Sequence, residues 1–266
     1  AGIPAGSLVG PLLGGVLPPV IGIRATFLLS GGVIFLAFLA TTFLIKESPR
    51  PRPAEAAPAA KPKSGWSQIP DKRPVVAMLT TGMLLAFATM SIEPIITVYV
   101  QQLIEDQGRV TLVAGVVMSA AALGTILSAS WLGKLADRIG HWNVVVGALA
   151  VSALLLIPQA FVTNSWQLIG LRFLMGLALG GLLPCITSVI RHNIPDGVGG
   201  NVLGLAISAQ YVGQVAGPLA GGFVGGHFGM PSVFLGTSVL MALGAVYNWI
   251  VQSRRTRHMA LEAGKP

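Results

Sequence analysis

Apolar residues occupy this chain in long blocks, interrupted by short clusters of charge, proline and asparagine. A helix crosses the hydrocarbon core of a bilayer with about 20 mostly apolar residues. By that measure there are eight spans, near 2–20, 25–45, 74–99, 110–132, 142–162, 165–190, 200–224 and 232–252. The fifth and sixth are divided only by the turn Thr163-Asn164-Ser165. Lipid offers the backbone no hydrogen-bond partner, so such blocks are helices, and the pattern predicts an all-α membrane protein. One interval differs. Residues 46–73 read KESPRPRPAEAAPAAKPKSGWSQIPDKR, where proline favours extended, solvated backbone and the polarity opposes burial. This is expected to be a soluble linker between two bundles, with Trp66 and Ile69 touching the membrane surface.

One stretch occurs twice. GSLVGPLLGG carries Gly6, Gly10-Pro11 and Gly14-Gly15; GQVAGPLAGG carries Gly213, Gly217-Pro218 and Gly221-Gly222, at a constant offset of 207 residues. The offset also superposes Gly22 on Gly229, Phe27 on Phe234 and Leu28 on Leu235, the signature of an internal duplication. Glycines four apart form a groove into which another backbone fits, and the close contact supplies the association that water cannot drive in lipid. Each proline removes a helical hydrogen bond and bends its segment. Two readings stand: a packing seam, or a bend that shapes a transport path.

Composition agrees with the blocks. The chain is 53% hydrophobic and only 10% charged, where soluble domains carry about 25% charged residues. The net charge of +8 does not point to nucleic acid, because the basic residues sit in connectors between apolar runs. Lys46, Arg50, Arg52, Lys61, Lys63, Lys72 and Arg73 lie in the linker; Lys134 and Arg138 follow the fourth span, Arg191 the sixth, and Arg254, Arg255, Arg257 and Lys265 the eighth. The opposite side has only Arg24 and Arg109. That asymmetry predicts that the linker and the C-terminal tail, 254–266, are cytoplasmic. A single Cys185 allows no internal disulfide, and His141, His192, His227 and His258 fall at segment ends without metal-ligand spacing, so no metal site is expected. Nothing resembles a nucleophile–base pair or a Walker loop, which argues against enzymatic chemistry and ATP-driven transport.

Parity adds a constraint. Six spans separate the starts of the two glycine copies, so both cross the membrane in the same direction, as in a parallel repeat of six-helix units. With the second unit at 74–253, its copy lies on the fifth helix. Residues 1–45 are then the last two helices of a first unit, and four helices are expected before Ala1. The chain begins inside an apolar run without Met, as expected for part of a longer protein.

These features resemble the major facilitator superfamily, twelve-helix transporters built from two six-helix halves. The Gly6–Gly15 pattern is similar to the fifth-helix motif of its drug–proton antiporters. GKLADRIGHW, from Gly133 to Trp142, resembles the Gly-x-Leu-x-Asp-Arg-x-Gly loop motif, and LIGLRFLMGLALGG, from Leu168 to Gly181, the tenth helix with its Leu-x-x-x-Arg-x-x-x-Gly core. The resemblance covers helices five to twelve, so a partial fold, eight of twelve helices, is expected. It implies a gating latch at Gly133, Asp137, Arg138 and Gly140. The loop departs from the family after Gly140, where His141-Trp142-Asn143 stands in place of basic residues.

Glu93 is the only acid deep inside a predicted span. A carboxylate in hydrocarbon is costly and usually faces a cavity or a partner, which suits a group that binds and releases protons. Arg172 lies about seven residues into its span, and with a rise of about 1.5 Å per residue the two fall at similar depth. They are candidates for a pair sharing a proton or ligand; the alternatives are a carboxylate that reaches outer water and an arginine that snorkels or bonds to neighbouring carbonyls. Gln210, Tyr211 and Gln214 lie near mid-membrane, suited either to line a polyspecific cavity or to tie helices together. Met83, Phe87 and Met90 form a soft stripe, a drug contact or core.

The resemblance implies proton-coupled efflux of small hydrophobic or cationic compounds across a bacterial inner membrane by alternating access. The proton gradient replaces a cofactor, lipid and protons are the partners, no nucleic acid is bound and a monomer is expected. Family members often place their main coupling acids in the first half. Two other readings remain open, a proton-coupled sugar or metabolite symporter of the same fold and a non-transporting membrane scaffold or inactive fragment.

Overall fold

The computed structural model describes residues 2–44, 65–195 and 198–263. Nine α-helices run through them: α1 (Gly2–Ile21), α2 (Ile23–Leu44), α3 (Arg73–Leu103), α4 (Val110–Ile139), α5 (His141–Gln159), α6 (Ser165–Leu179), α7 (Leu182–His192), α8 (Gly199–Phe228) and α9 (Met230–Ala263). Seven spans are long and apolar enough to cross a membrane, with α6 and α7 together forming one of them; Gly6–Ile21 of α1 is a shorter apolar helix. The eight spans read from the sequence are therefore present, and two details differ.

The sixth span is broken. Pro184 has no N–H to give the carbonyl of Gly180, and its ring crowds that carbonyl, so the helix stops at Leu179 and restarts at Leu182. At the other detail, the motif from Gly133 to Gly140 is not a loop: α4 stays helical to Ile139. Only Gly140 turns the chain, with φ +93° and ψ 136°, a backbone region open essentially to glycine alone.

Helices α3 to α9 surround one apolar core that includes Met78, Ile92, Leu149, Leu156, Leu168, Ile186, Phe234 and Met241. Glycine sets the closest approaches within it. A Cβ at Gly176 would strike the Ala121 carbonyl on α4, and one at Gly124 would strike the Phe173 carbonyl on α6. Backbones this near each other exchange dense van der Waals contact, which is what holds helices together in lipid.

Helix α1 joins the bundle through α4. A Cβ at Gly15 would lie 2.7 Å from the Thr111 carbonyl oxygen, and the Ser119 hydroxyl donates to the Leu8 carbonyl at 2.8 Å. Helix α2 packs on α1 and contributes no buried residue. Most of the linker, 46–64, lies outside the described residues. Its end forms a 3₁₀ turn at Gly65–Gln68, and here the surface expectation fails: Ile69 is buried in the core and Trp66 packs against it. Burying the branched aliphatic side chain of Ile69, with the half-buried Trp66 indole packed on it, outweighs leaving Ile69 at the interface.

Candidate functional site

The clearest polar site lies inside the α3–α9 bundle. Glu93 projects from α3, half-buried, one residue before Pro94. Arg172 projects from α6 and is only 6% exposed, which rules out snorkelling to water. No salt bridge closes between the two among the described residues. The Arg172 guanidinium stands 6.0 Å from the centre of the Phe234 ring, and the other wall of Phe234 is Tyr99, 5.1 Å between ring centres. Tyr99 donates its hydroxyl to the Gln159 carbonyl at 3.0 Å. Glu93 and Arg172 both sit in the bundle, and Arg172 meets the Phe234 ring rather than the Glu93 carboxylate. Tyr99 and Gln159 join them from positions that look like ordinary span ends, and no sequence signal marked them.

The other candidates disperse. Gln210 is half-buried in the α3–α8 seam, where Gly82 makes room: a Cβ there would lie 3.4 Å from Gln210 Cγ. Tyr211 and Gln214 are exposed on α8. Met83, Phe87 and Met90 are half-buried along the same seam, each beside a glycine of the repeat. A Cβ at Gly213 would meet the Met83 carbonyl, one at Gly217 the Phe87 carbonyl at 2.6 Å, and one at Gly221 the Ser91 carbonyl. In this copy the glycines form a packing seam. Pro218 lies within it, while Gly222 faces open space.

The first copy uses the other side of the same pattern. Gly6, Gly10 and Gly14 have nothing within 4 Å of an added Cβ, whereas Gly15 is pressed on α4 and the Pro11 carbonyl abuts Gly115. Among the described residues this copy packs through Gly15, the counterpart of Gly222, and not through the counterparts of Gly213, Gly217 and Gly221.

At the opposite end of the bundle, Asp137 and Arg138 are exposed on the last turn of α4. Asp137 Oδ1 is 3.8 Å from His141 Nε2, and His141 stacks obliquely near His192, 6.1 Å between ring centres. Gly133 has open space around it. The departure from the family pattern here has a structural use. The Trp142 indole donates to the Asn248 carbonyl at 3.1 Å, and Gln252 Nε2 donates to Asn143 Oδ1 at 2.7 Å, fastening the start of α5 to α9. Asn248 also donates to Thr81 Oγ1 at 2.7 Å, which ties in α3.

Two apolar grooves open on the bundle surface, 670 Å³ over Pro158, Trp166 and Leu171 and 440 Å³ over Trp131, Val144 and Leu174. Neither is lined by Glu93 or Arg172, and their walls suit lipid rather than a polar ligand.

Comparison with known proteins agrees with this architecture. The family model described as Major Facilitator Superfamily matches residues 1–143 and 105–265. The multidrug resistance protein MdtG of Salmonella typhimurium is 35% identical over 258 residues, covering 97% of this chain and 63% of the relative. MdtG of Proteus mirabilis is 34% identical over 249 residues, covering 94% of this chain and 61% of the relative. The chain thus spans less than two thirds of the length of these relatives. With the duplicated glycine motif, the membrane-length helices and a family match across the whole sequence, this chain belongs to the major facilitator superfamily.

Proposed function

We propose that this chain is the larger part of a proton-coupled multidrug efflux transporter of the bacterial inner membrane, working by alternating access. The observation that carries the reading is a half-buried carboxylate, Glu93, and a buried guanidinium, Arg172, inside one membrane-spanning bundle with no salt bridge between them. An intramembrane acid and base held apart have two arrangements available, and a proton on Glu93 changes their attraction. If proton and drug favour different states of the bundle, each drives the other across, with a coupling set by the difference in affinity between states. The names of the MdtG relatives support drugs as the cargo.

In this reading residues 1–45 close a first six-helix unit, 46–73 link it to the second at 74–253, and the linker and tail face the cytoplasm. Asp137 and Arg138 at the end of α4 latch the inner face, and Gln210 and Met90 border the path along α8 and α3. Tyr211 and Gln214, exposed on α8, face the other half. The protein works as a monomer.

Dye extrusion from cells expressing the full reading frame that encodes this chain tests the proposal. Extrusion should stop with an uncoupler and fall strongly in Glu93→Gln. Uncoupler-sensitive uptake instead of extrusion would point to a symporter, and loss of neither activity in Glu93→Gln would remove this pair from the coupling step.

A further inference from the structure

The bundle interior contains polar atoms with complementary demands. Arg172 Nε and Nη2 are buried and have no hydrogen-bond partner among the described residues; neither does Gln159 Oε1. The first two can only donate and the third can only accept. Gln159 is wholly buried, and its amide is oriented by Nε2, which donates to the Leu155 carbonyl at 3.0 Å and contacts Met175 Sδ at 3.6 Å. Met175 lies one turn from Arg172 on the buried face of α6. The free oxygen of Gln159 and the free nitrogens of Arg172 therefore belong to one small interior region, closed by Tyr99 and Phe234.

A buried guanidinium with unmade hydrogen bonds is among the most costly arrangements a protein can hold. The Phe234 ring offsets part of the charge through its face but accepts no normal hydrogen bond. Among the described residues, the titratable groups facing this region are Glu93 and Tyr99 from α3 and Arg172 from α6; α4, α5, α8 and α9 place no charged side chain at this depth. The missing partner must donate to Gln159 or Glu93 and accept from Arg172, must be small, and must be neutral so as not to add charge to the site. Water meets all four conditions, and interior waters typically make about three hydrogen bonds to polar groups of this kind.

We propose that Arg172 and Gln159 hold an internal water between α3, α5, α6 and α9. The water site stands on the unpaired atoms.

Radiolytic hydroxyl-radical labelling with mass spectrometry, on the full chain in lipid nanodiscs, reads the site directly, because radicals generated from a bound water oxidise the residues around it. Met175 should be oxidised despite its burial. Met241, equally buried and outside this region, should stay at background. Gln159→Leu should bring Met175 down to the Met241 level, and Gln159→Glu, which retains acceptor oxygens, should keep it labelled. A rise at Met241 would reveal a misfolded variant, in which case Gln159→Glu and the wild-type chain decide. Wild-type Met175 at background, or labelling that persists in a folded Gln159→Leu, overturns the proposal. A transport defect in Glu93→Gln bears on the function alone and leaves this labelling pattern where it was.

Discussion

Gly22 and Gly229 share a positive φ, +83° and +85°, at the 207-residue offset of the glycine motif. Each ends the helix that carries one copy of the motif and turns the chain into the next span. Gly229 adds ψ of 159°, a combination that costs a residue with a Cβ about 1–3 kcal/mol. The duplication is thus written in local geometry as well as in letters. Gly229→Ala should lower the thermal midpoint in detergent, whereas Gly226→Ala, one turn earlier with open space around it, should leave it within error.

The two faces of the repeated helix give a sharper contrast. A Cβ added at Gly217 would lie 2.6 Å from the Phe87 carbonyl oxygen and 3.0 Å from the Met90 Cβ. Gly217→Leu has to push α8 off α3, an overpacking that typically costs about 1–3 kcal/mol. Gly222→Leu enters open space. Thermal melts in detergent should show a large loss for the first and almost none for the second. Equal losses would mean that α8 does not lie on α3 by its glycine face.

The spans and the duplication were legible because each follows from a simple rule: apolar length and fixed offset. What escaped was set by tertiary contact. Gln159 and Asn248 look like polar residues at the ends of apolar runs, and only the packing of α5, α6 and α9 shows them wholly buried. The Gly133–Gly140 motif looks like a turn because it begins and ends in glycine. Its interior, Lys134 to Ile139, has no residue that opposes a helix, so α4 simply continues. Gln210, Tyr211 and Gln214 are neighbours in sequence, yet the α3 seam takes in only Gln210. Helical spacing narrows the candidates for the buried face, and the partner helix makes the choice.

The amide clamp between α5 and α9 offers a test of burial against exposure. Asn248→Ala removes a buried donor to Thr81 Oγ1 and to the Gly244 carbonyl, and should cost about 1–3 kcal/mol in unfolding free energy. Gln252→Ala removes an exposed bond to Asn143 and should fall within about 0.5 kcal/mol of wild type. Denaturant melts in mixed micelles, compared at constant slope, separate the two.

The orientation proposed for the bundle is tested with single cysteines in a Cys185→Ser background, since Cys185 is the chain's only thiol and is buried. Asp71→Cys reports the linker end, Thr256→Cys the far part of α9, and Asp106→Cys the connection between α3 and α4. A membrane-impermeant maleimide added to intact cells should label only Asp106→Cys, and opening the cells should add the other two. The reasoning is electrostatic: basic connectors stay on the cytoplasmic side during insertion, and the linker and tail hold most of this chain's basic residues. Labelling of Asp71→Cys and Thr256→Cys from opposite sides would give an odd number of crossings between them, contrary to six spans in one unit, and the paired-bundle account of the transport cycle would fall with it.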